Sequence, residues 1–306
     1  MTFAVLCPGQ GAQHAAMLDL ACRDAEGLRV VEQAGEALAE DPRAWLAKGE
    51  AIFDNAIAQP LICTAQLAVW ASLRPKLPRP TAVAGYSVGE LACYAVCDAL
   101  DAGTLAQLAR ERALAMGNAA ADRPGGLVAI RGLSRAALNR ACAGLEALVA
   151  IVNADDAFVV GGTDVALTVV KDRCGRAGAQ LTELRIGVAS HTPLIASAVD
   201  VFRRALERSP LRAPAPPVVA GIDAGLVDTR ERAIETLSDQ IATTVEWAQC
   251  LDTLYERGCR VYLELGPGRA LCRMARARHE DIEARSVDEF RDAAAIVTWV
   301  RRGLNG

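Results

Sequence analysis

At 306 residues, with 52% hydrophobic and 23% charged side chains, the chain is long enough for one large core or two unequal domains and has an ordinary globular composition. A net charge of −4, with basic residues scattered rather than clustered, argues against nucleic acid as a partner. Ten cysteines spread from Cys7 to Cys272 in a chain too large to need disulfide staples, so they read as small core residues.

The amino-terminal run Met1-Thr2-Phe3-Ala4-Val5-Leu6-Cys7 has no basic leader and halts at Pro8, which predicts a first strand rather than a signal peptide. No apolar run approaches bilayer-spanning length on this reading. A cytoplasmic protein with no membrane partner is expected. A glycine-rich turn follows, leading to His14. Thr81-Ala82-Val83-Ala84 then fits a buried strand, Val88 to Leu100 has helical spacing, and Gly85-Tyr86-Ser87-Val88-Gly89 joins them. G-x-S-x-G on a strand-to-helix turn is how an α/β protein exposes a nucleophilic serine. A hydroxyl stays a weak nucleophile until a base takes its proton, and its attack on an ester or thioester creates an oxyanion that needs donors already in place. The Val88 NH, at the positive end of the next helix, is placed to be one of them. Reading Ser87 as a helix cap explains the serine but neither glycine. Cys93 and Cys97 share a helix face, yet no histidine or second close cysteine pair completes a zinc set, and no metal site is expected.

Strand-like and helix-like segments alternate along the chain, the pattern of a mainly parallel sheet covered by helices. The middle differs. Leu127–Ile130 reads as a strand, Ser134–Ala143 as a serine-capped helix, Ala147–Val152 and Phe158–Val160 as strands, Val165–Ala177 as a helix and Gln180–Ile186 as a last strand. Strand-helix-strand-strand-helix-strand is the split unit of a ferredoxin-like domain. The expected organisation is a large α/β domain from residues 1–117 and 187–306 with a small domain, 118–186, inserted.

Three histidines are candidates for a base. His279 lies in a charged stretch expected to be solvated, and His14 has no base-like neighbours. His191, in Val188-Ala189-Ser190-His191-Thr192-Pro193, stands where the small domain returns to the large one and a helix begins at Pro193. A domain junction is where a cleft forms, so His191 is the favoured partner of Ser87.

Four segments, Pro8-Gly9-Gln10-Gly11-Ala12-Gln13, Gly85-Tyr86-Ser87-Val88-Gly89-Glu90, Ser190-His191-Thr192-Pro193 and Glu264-Leu265-Gly266-Pro267-Gly268, resemble in this order the motifs of the malonyl-CoA:acyl-carrier-protein transacylases. The resemblance spans nearly the whole chain. Within that family it looks most like the epsilon subunit of malonate decarboxylase, on Tyr86 before the serine and on the ending Ala284-Arg285-Ser286-Val287-Asp288-Glu289-Phe290. The resemblance implies an α/β-hydrolase-like core with a ferredoxin-like insertion. It makes Ser87 the nucleophile, His191 the base and later acid, and Gln10 and Val88 the oxyanion donors.

The same resemblance makes Arg112 the clamp on a malonyl carboxylate, with Arg110 the fallback if the spacing slips by roughly half a turn. A guanidinium offers a carboxylate a two-pronged match that lysine cannot. Read without the resemblance, Arg112 is a surface helix residue paired with a neighbouring acid. The family orients its histidine by a backbone carbonyl, which spacing assigns to Arg257. The implied partners are malonyl-CoA, an acyl carrier protein with a CoA-derived arm, and other subunits of a malonate decarboxylase; no cofactor is implied. Cys7 and Tyr86 depart from the family's usual phenylalanine and histidine. The alternatives are a malonyl transacylase of fatty-acid or polyketide synthesis, a serine thioesterase lacking the arginine clamp, and a noncatalytic docking subunit.

Overall fold

Residues Phe3–Cys7 and Ala82–Gly85 are buried without alternation, as strands covered on both faces must be. In the computed structural model, which describes residues 2–305, they form the centre of a six-stranded sheet. The chain runs β1 (Thr2–Cys7), α1 (Asp19–Cys22), α2 (Ala25–Leu38), α3 (Pro42–Trp45), α4 (Asn55–Leu73), β2 (Ala82–Gly85), α5 (Val88–Val96) and α6 (Ala102–Ala120). A second group follows: β3 (Gly125–Arg131), α7 (Arg135–Cys142), β4 (Ala147–Ala154), β5 (Ala157–Thr163), α8 (Asp164–Arg176) and β6 (Gln180–Glu183). The chain then returns through α9 (Ser197–Arg208), β7 (Val218–Val219), β8 (Leu226–Val227), α10 (Arg230–Asp239), α11 (Trp247–Glu256), β9 (Cys259–Glu264), α12 (Ala270–Arg278), β10 (Glu283–Ser286) and α13 (Ala293–Asn305).

The large sheet has the order β10-β9-β1-β2-β7-β8, parallel throughout except for the short β7–β8 pair. The middle group forms its own four-stranded antiparallel sheet, β4-β5-β3-β6, in the expected strand-helix-strand-strand-helix-strand order. Ser134 caps α7 through the Ala137 NH, as its position implied. The two sheets meet at Val245, whose NH donates to Ala150 O (2.9 Å) and whose carbonyl accepts from Val152 N (2.8 Å). One apolar cluster accordingly joins Ala4, Leu6 and Trp247 to Ala150, Ile151 and Val159.

Several expected boundaries move for local reasons. α5 stops at Val96 rather than Leu100 because Asp98 takes φ 61°, outside any right-handed helix. β6 ends at Glu183 because Ile186 N turns back onto Leu184 O. α6 runs on to Ala120, past the expected end of the first large-domain segment at 117. The expectation that no apolar run reaches spanning length is corrected by α4. By length and composition this helix could cross a bilayer, yet 83% of its most apolar window is buried inside the protein, where it is packed among the other helices as core.

Candidate active site

The site is built on the carboxyl end of β2. Ser87 follows β2 and leads α5, with φ 56° and ψ −121°, a conformation an L-residue enters only under strain. The two flanking glycines are steric necessities. A Cβ at Gly85 would stand 2.2 Å from Glu90 N, and one at Gly89 2.0 Å from Cys7 O. Both obstacles are backbone, so neither can yield. The turn is a sharp strand-to-helix elbow that leaves Ser87 half-buried at its apex.

His191 comes from the segment returning from the small sheet. It also has positive φ, 62°, and its NH donates to Ile241 O (2.8 Å). Gly161 of β5 lets this segment press close, since a Cβ there would lie 2.8 Å from the Thr192 side chain. Ser87 Oγ and His191 Nε2 are 2.8 Å apart, and His191 Nδ1 lies 2.7 Å from Gln240 O. A carbonyl can only accept, so Nδ1 has the proton and Nε2 is free to accept from the serine hydroxyl. Burial, aided by the Arg112 cation, pulls the His191 pKa down to about 3. The imidazole is therefore neutral near pH 7 and able to take a proton.

Arg112 is not on the surface. It is 1% exposed; Nη1 donates to Gln59 Oε1 and Nη2 to Gln240 Oε1, both at 2.9 Å. These partners are neutral amides, and among the described residues no carboxylate pairs with the guanidinium. Burial lowers its pKa to about 10. A desolvated cation held by two amides is an unfavourable arrangement that an incoming anion would relieve. Arg110 is instead half-buried and donates to Leu38 O (3.1 Å).

The turn bearing Gln10 lies against the elbow: a Cβ at Gly9 would be 2.8 Å from Tyr86 O and 3.5 Å from Ser87 Cβ. Gln66 pins that turn through Pro8 O (2.6 Å), and Gln13 holds it from both sides through the Gly11 NH (2.6 Å) and Ile52 O (3.1 Å). Val88 supplies the first amide of α5, which no preceding carbonyl within the helix can serve. Tyr86, ahead of the serine, packs edge-on against Trp247 at 5.5 Å.

The assignment of the histidine-orienting carbonyl to Arg257 is corrected to Gln240. Arg257 caps α11 just before β9 begins, at the end of the parallel sheet opposite Ser87. The other histidines stand elsewhere. His14 pairs with Asp288 (3.2 Å), and His279, expected to be solvated, stacks on Tyr255 at 4.0 Å beside Asp252.

Gln240 is the residue the sequence hid. Its carbonyl meets His191, its Oε1 meets Arg112, and its Nε2 donates to Ser87 O (3.2 Å) and Glu90 Oε2 (2.5 Å). Gln59 leaves a faint signal, as a glutamine inside a long, apolar and largely buried helix.

The buried ionisable groups predict a pH signature. Burial pushes Glu90 up to about 8 and Glu264 up to about 7. Folded, each keeps a proton that the unfolded chain has released, so their contribution is lost as pH rises from the ordinary carboxyl range through those values. His191 has the opposite sign, since its folded pKa is depressed, and it destabilises only as pH falls below its unfolded pKa near 6.5. Between about pH 6.5 and 8 the carboxyls act alone. Thermal melts are expected to show a falling Tm across that window, with the fall flattened in Glu90→Gln; a Tm that rises would contradict these assignments.

A half-buried serine on a strained turn, bonded to a buried neutral histidine beside a caged cation, defines an α/β protein that handles acyl groups. Comparison with known proteins agrees. Residues 4–304 match the acyl transferase domain family. The chain is 30% identical to the malonyl CoA-acyl carrier protein transacylase of Haemophilus influenzae, over 96% of this chain and 97% of the relative. The solved structure of the malonyl CoA-acyl carrier protein transacylase from Coxiella burnetii superposes with a TM-score of 0.92 at 26% identity, covering 99% of this chain and 98% of the other. A malonyl-transacylase solved with its type II polyketide acyl-carrier protein also gives 0.92, at 27% identity, covering 99% and 100%. The chain belongs to the acyl transferase domain family and is an acyltransferase.

Proposed function

We propose that the chain moves a malonyl group from malonyl-CoA to the thiol of an acyl carrier protein's prosthetic arm, through a malonyl ester on Ser87. The observation behind this reading is the Arg112 guanidinium, buried beside the Ser87–His191 pair with only amide oxygens for company. An acetyl group would leave that cation uncompensated; a malonyl carboxylate would pair with it in two-pronged fashion.

His191 Nε2 takes the Ser87 proton as Oγ attacks the thioester carbonyl. The oxyanion is met by the NH groups of Val88 and Gln10. Collapse breaks the carbon–sulfur bond, and the imidazolium returns the proton to the departing CoA thiolate. The carrier thiol then gives its proton to His191 and attacks the ester, and the released Ser87 oxygen recovers that proton. No step calls on a metal or redox cofactor.

In the same reading the large unit is an α/β-hydrolase-like core, residues 1–117 and 187–306, and segment 118–186 is a ferredoxin-like insertion, supported by the strand order of the small sheet. The relatives' descriptions support an acyl carrier protein of fatty-acid or polyketide synthesis as acceptor over the carrier subunit of malonate decarboxylase. The ending that suggested the latter has a folding task of its own. Ser286 and Glu289 make a capping box, and Ser286 Oγ donates to Gly268 O of the Gly266-Pro267-Gly268 turn.

The test is transfer itself. With malonyl-CoA and a phosphopantetheinylated acyl carrier protein, mass spectrometry is expected to show malonyl-carrier accumulating in step with CoA release. Free malonate in its place would make the protein a hydrolase.

A further inference from the structure

We propose that Glu90 is a positioning residue for acyl transfer: through Gln240 it holds the His191 ring and the Arg112 guanidinium as one rigid unit. Glu90 sits on α5 one turn beyond Ser87 and is fully buried. Its neighbours on that helix are almost all apolar, and a carboxyl group is costly there without a task. Its Oε2 accepts from Gly221 N (2.9 Å) and Gln240 Nε2 (2.5 Å), while Oε1 is buried without a partner. The backbone of Gly221 comes so close that a Cβ would meet Oε2 at 2.8 Å.

The chemistry of the partners fixes the Gln240 amide from both ends. A guanidinium can only donate, so Oε1 must face Arg112; Nε2 must then face an acceptor, which Glu90 provides. Remove that acceptor and the amide keeps only its longer bond to Ser87 O (3.2 Å), a weaker anchor for aiming Oε1 at Arg112. The Gln240 backbone, whose carbonyl orients His191, is less firmly tethered through its side chain at the same time. One carboxyl thus supports both the base and the anion clamp, though it touches neither.

The inference rests on the malonyl reading above, and its test separates the two. Single-turnover loading of the full chain from malonyl-CoA and from acetyl-CoA is followed by intact mass in wild type, Glu90→Leu, Glu90→Gln and Gln240→Leu, with a thermal melt of each. Glu90→Leu is expected to slow malonyl loading by about tenfold, the scale of one buried hydrogen bond lost, to raise KM for malonyl-CoA and to shrink the preference over acetyl-CoA. Glu90→Gln, which keeps an acceptor oxygen, restores most of the rate and the preference. Gln240→Leu loses the same preference even if Glu90→Leu fails to fold. Glu90→Leu with a lowered Tm but wild-type rate and preference overturns the inference. So does Glu90→Gln as impaired as the leucine variant, or Gln240→Leu with its preference intact. A wild type with no malonyl preference sinks the parent reading instead.

Discussion

Ser87→Ala is expected to abolish covalent loading from malonyl-CoA and to lower transfer by about 10⁴-fold or more, the scale seen when an activated serine is removed from its base. The expectation follows from the 2.8 Å Ser87–His191 contact; among the described residues no other hydroxyl is bonded to that ring. The fold should survive. Gly85 and Gly89 make the turn possible, and alanine meets the same backbone strain as serine, so a thermal melt within about 1 kcal/mol of wild type is expected. His191→Ala should lose a comparable amount, and the double variant little more, because the two groups act as a unit. Steady-state transfer to a carrier protein measures all three.

Arg112→Met is expected to separate function from stability. Loss of the guanidinium removes the buried cation beside the Ser87–His191 pair, so kcat/KM for malonyl-CoA should fall by at least roughly 30-fold, about 2 kcal/mol or more. Acetyl-CoA, which has no carboxylate for the clamp, should be affected little. The Tm of the unliganded protein should change little or rise, since replacing an uncompensated buried charge by an apolar chain of similar length removes a desolvation cost. Parallel loss with both thioesters would show that Arg112 serves packing rather than recognition.

The parts of this site that were legible in the sequence are those whose chemistry is local. Gly85 and Gly89 flank Ser87 because two backbone segments leave no room for a Cβ, and that requirement shows in five consecutive letters. His191 was found because the chain re-enters the large unit there. Only the family resemblance points to Arg112; helix position alone sends it to the surface, whereas tertiary packing buries it. Its partners Gln59 and Gln240 lie 53 and 128 residues away, and no local pattern joins such residues. Arg257 was mistaken for a similar reason. Distance counted along the chain does not say which end of a parallel strand a residue occupies, and Arg257 precedes β9 whereas the site lies where the parallel strands end. The element order of the middle segment is legible because its strands and helices have distinct periods and its first helix a serine cap, while α6 overruns the expected 118 boundary with no break in its spacing.

The most direct measurement is intact-mass spectrometry of the protein after exposure to malonyl-CoA or acetyl-CoA, followed by peptide mapping and by addition of a phosphopantetheinylated carrier protein. The account predicts one malonyl ester on the peptide containing Ser87, little acetyl adduct, and discharge of the ester onto the carrier thiol. An adduct on another residue, or equal loading by both thioesters, would contradict it.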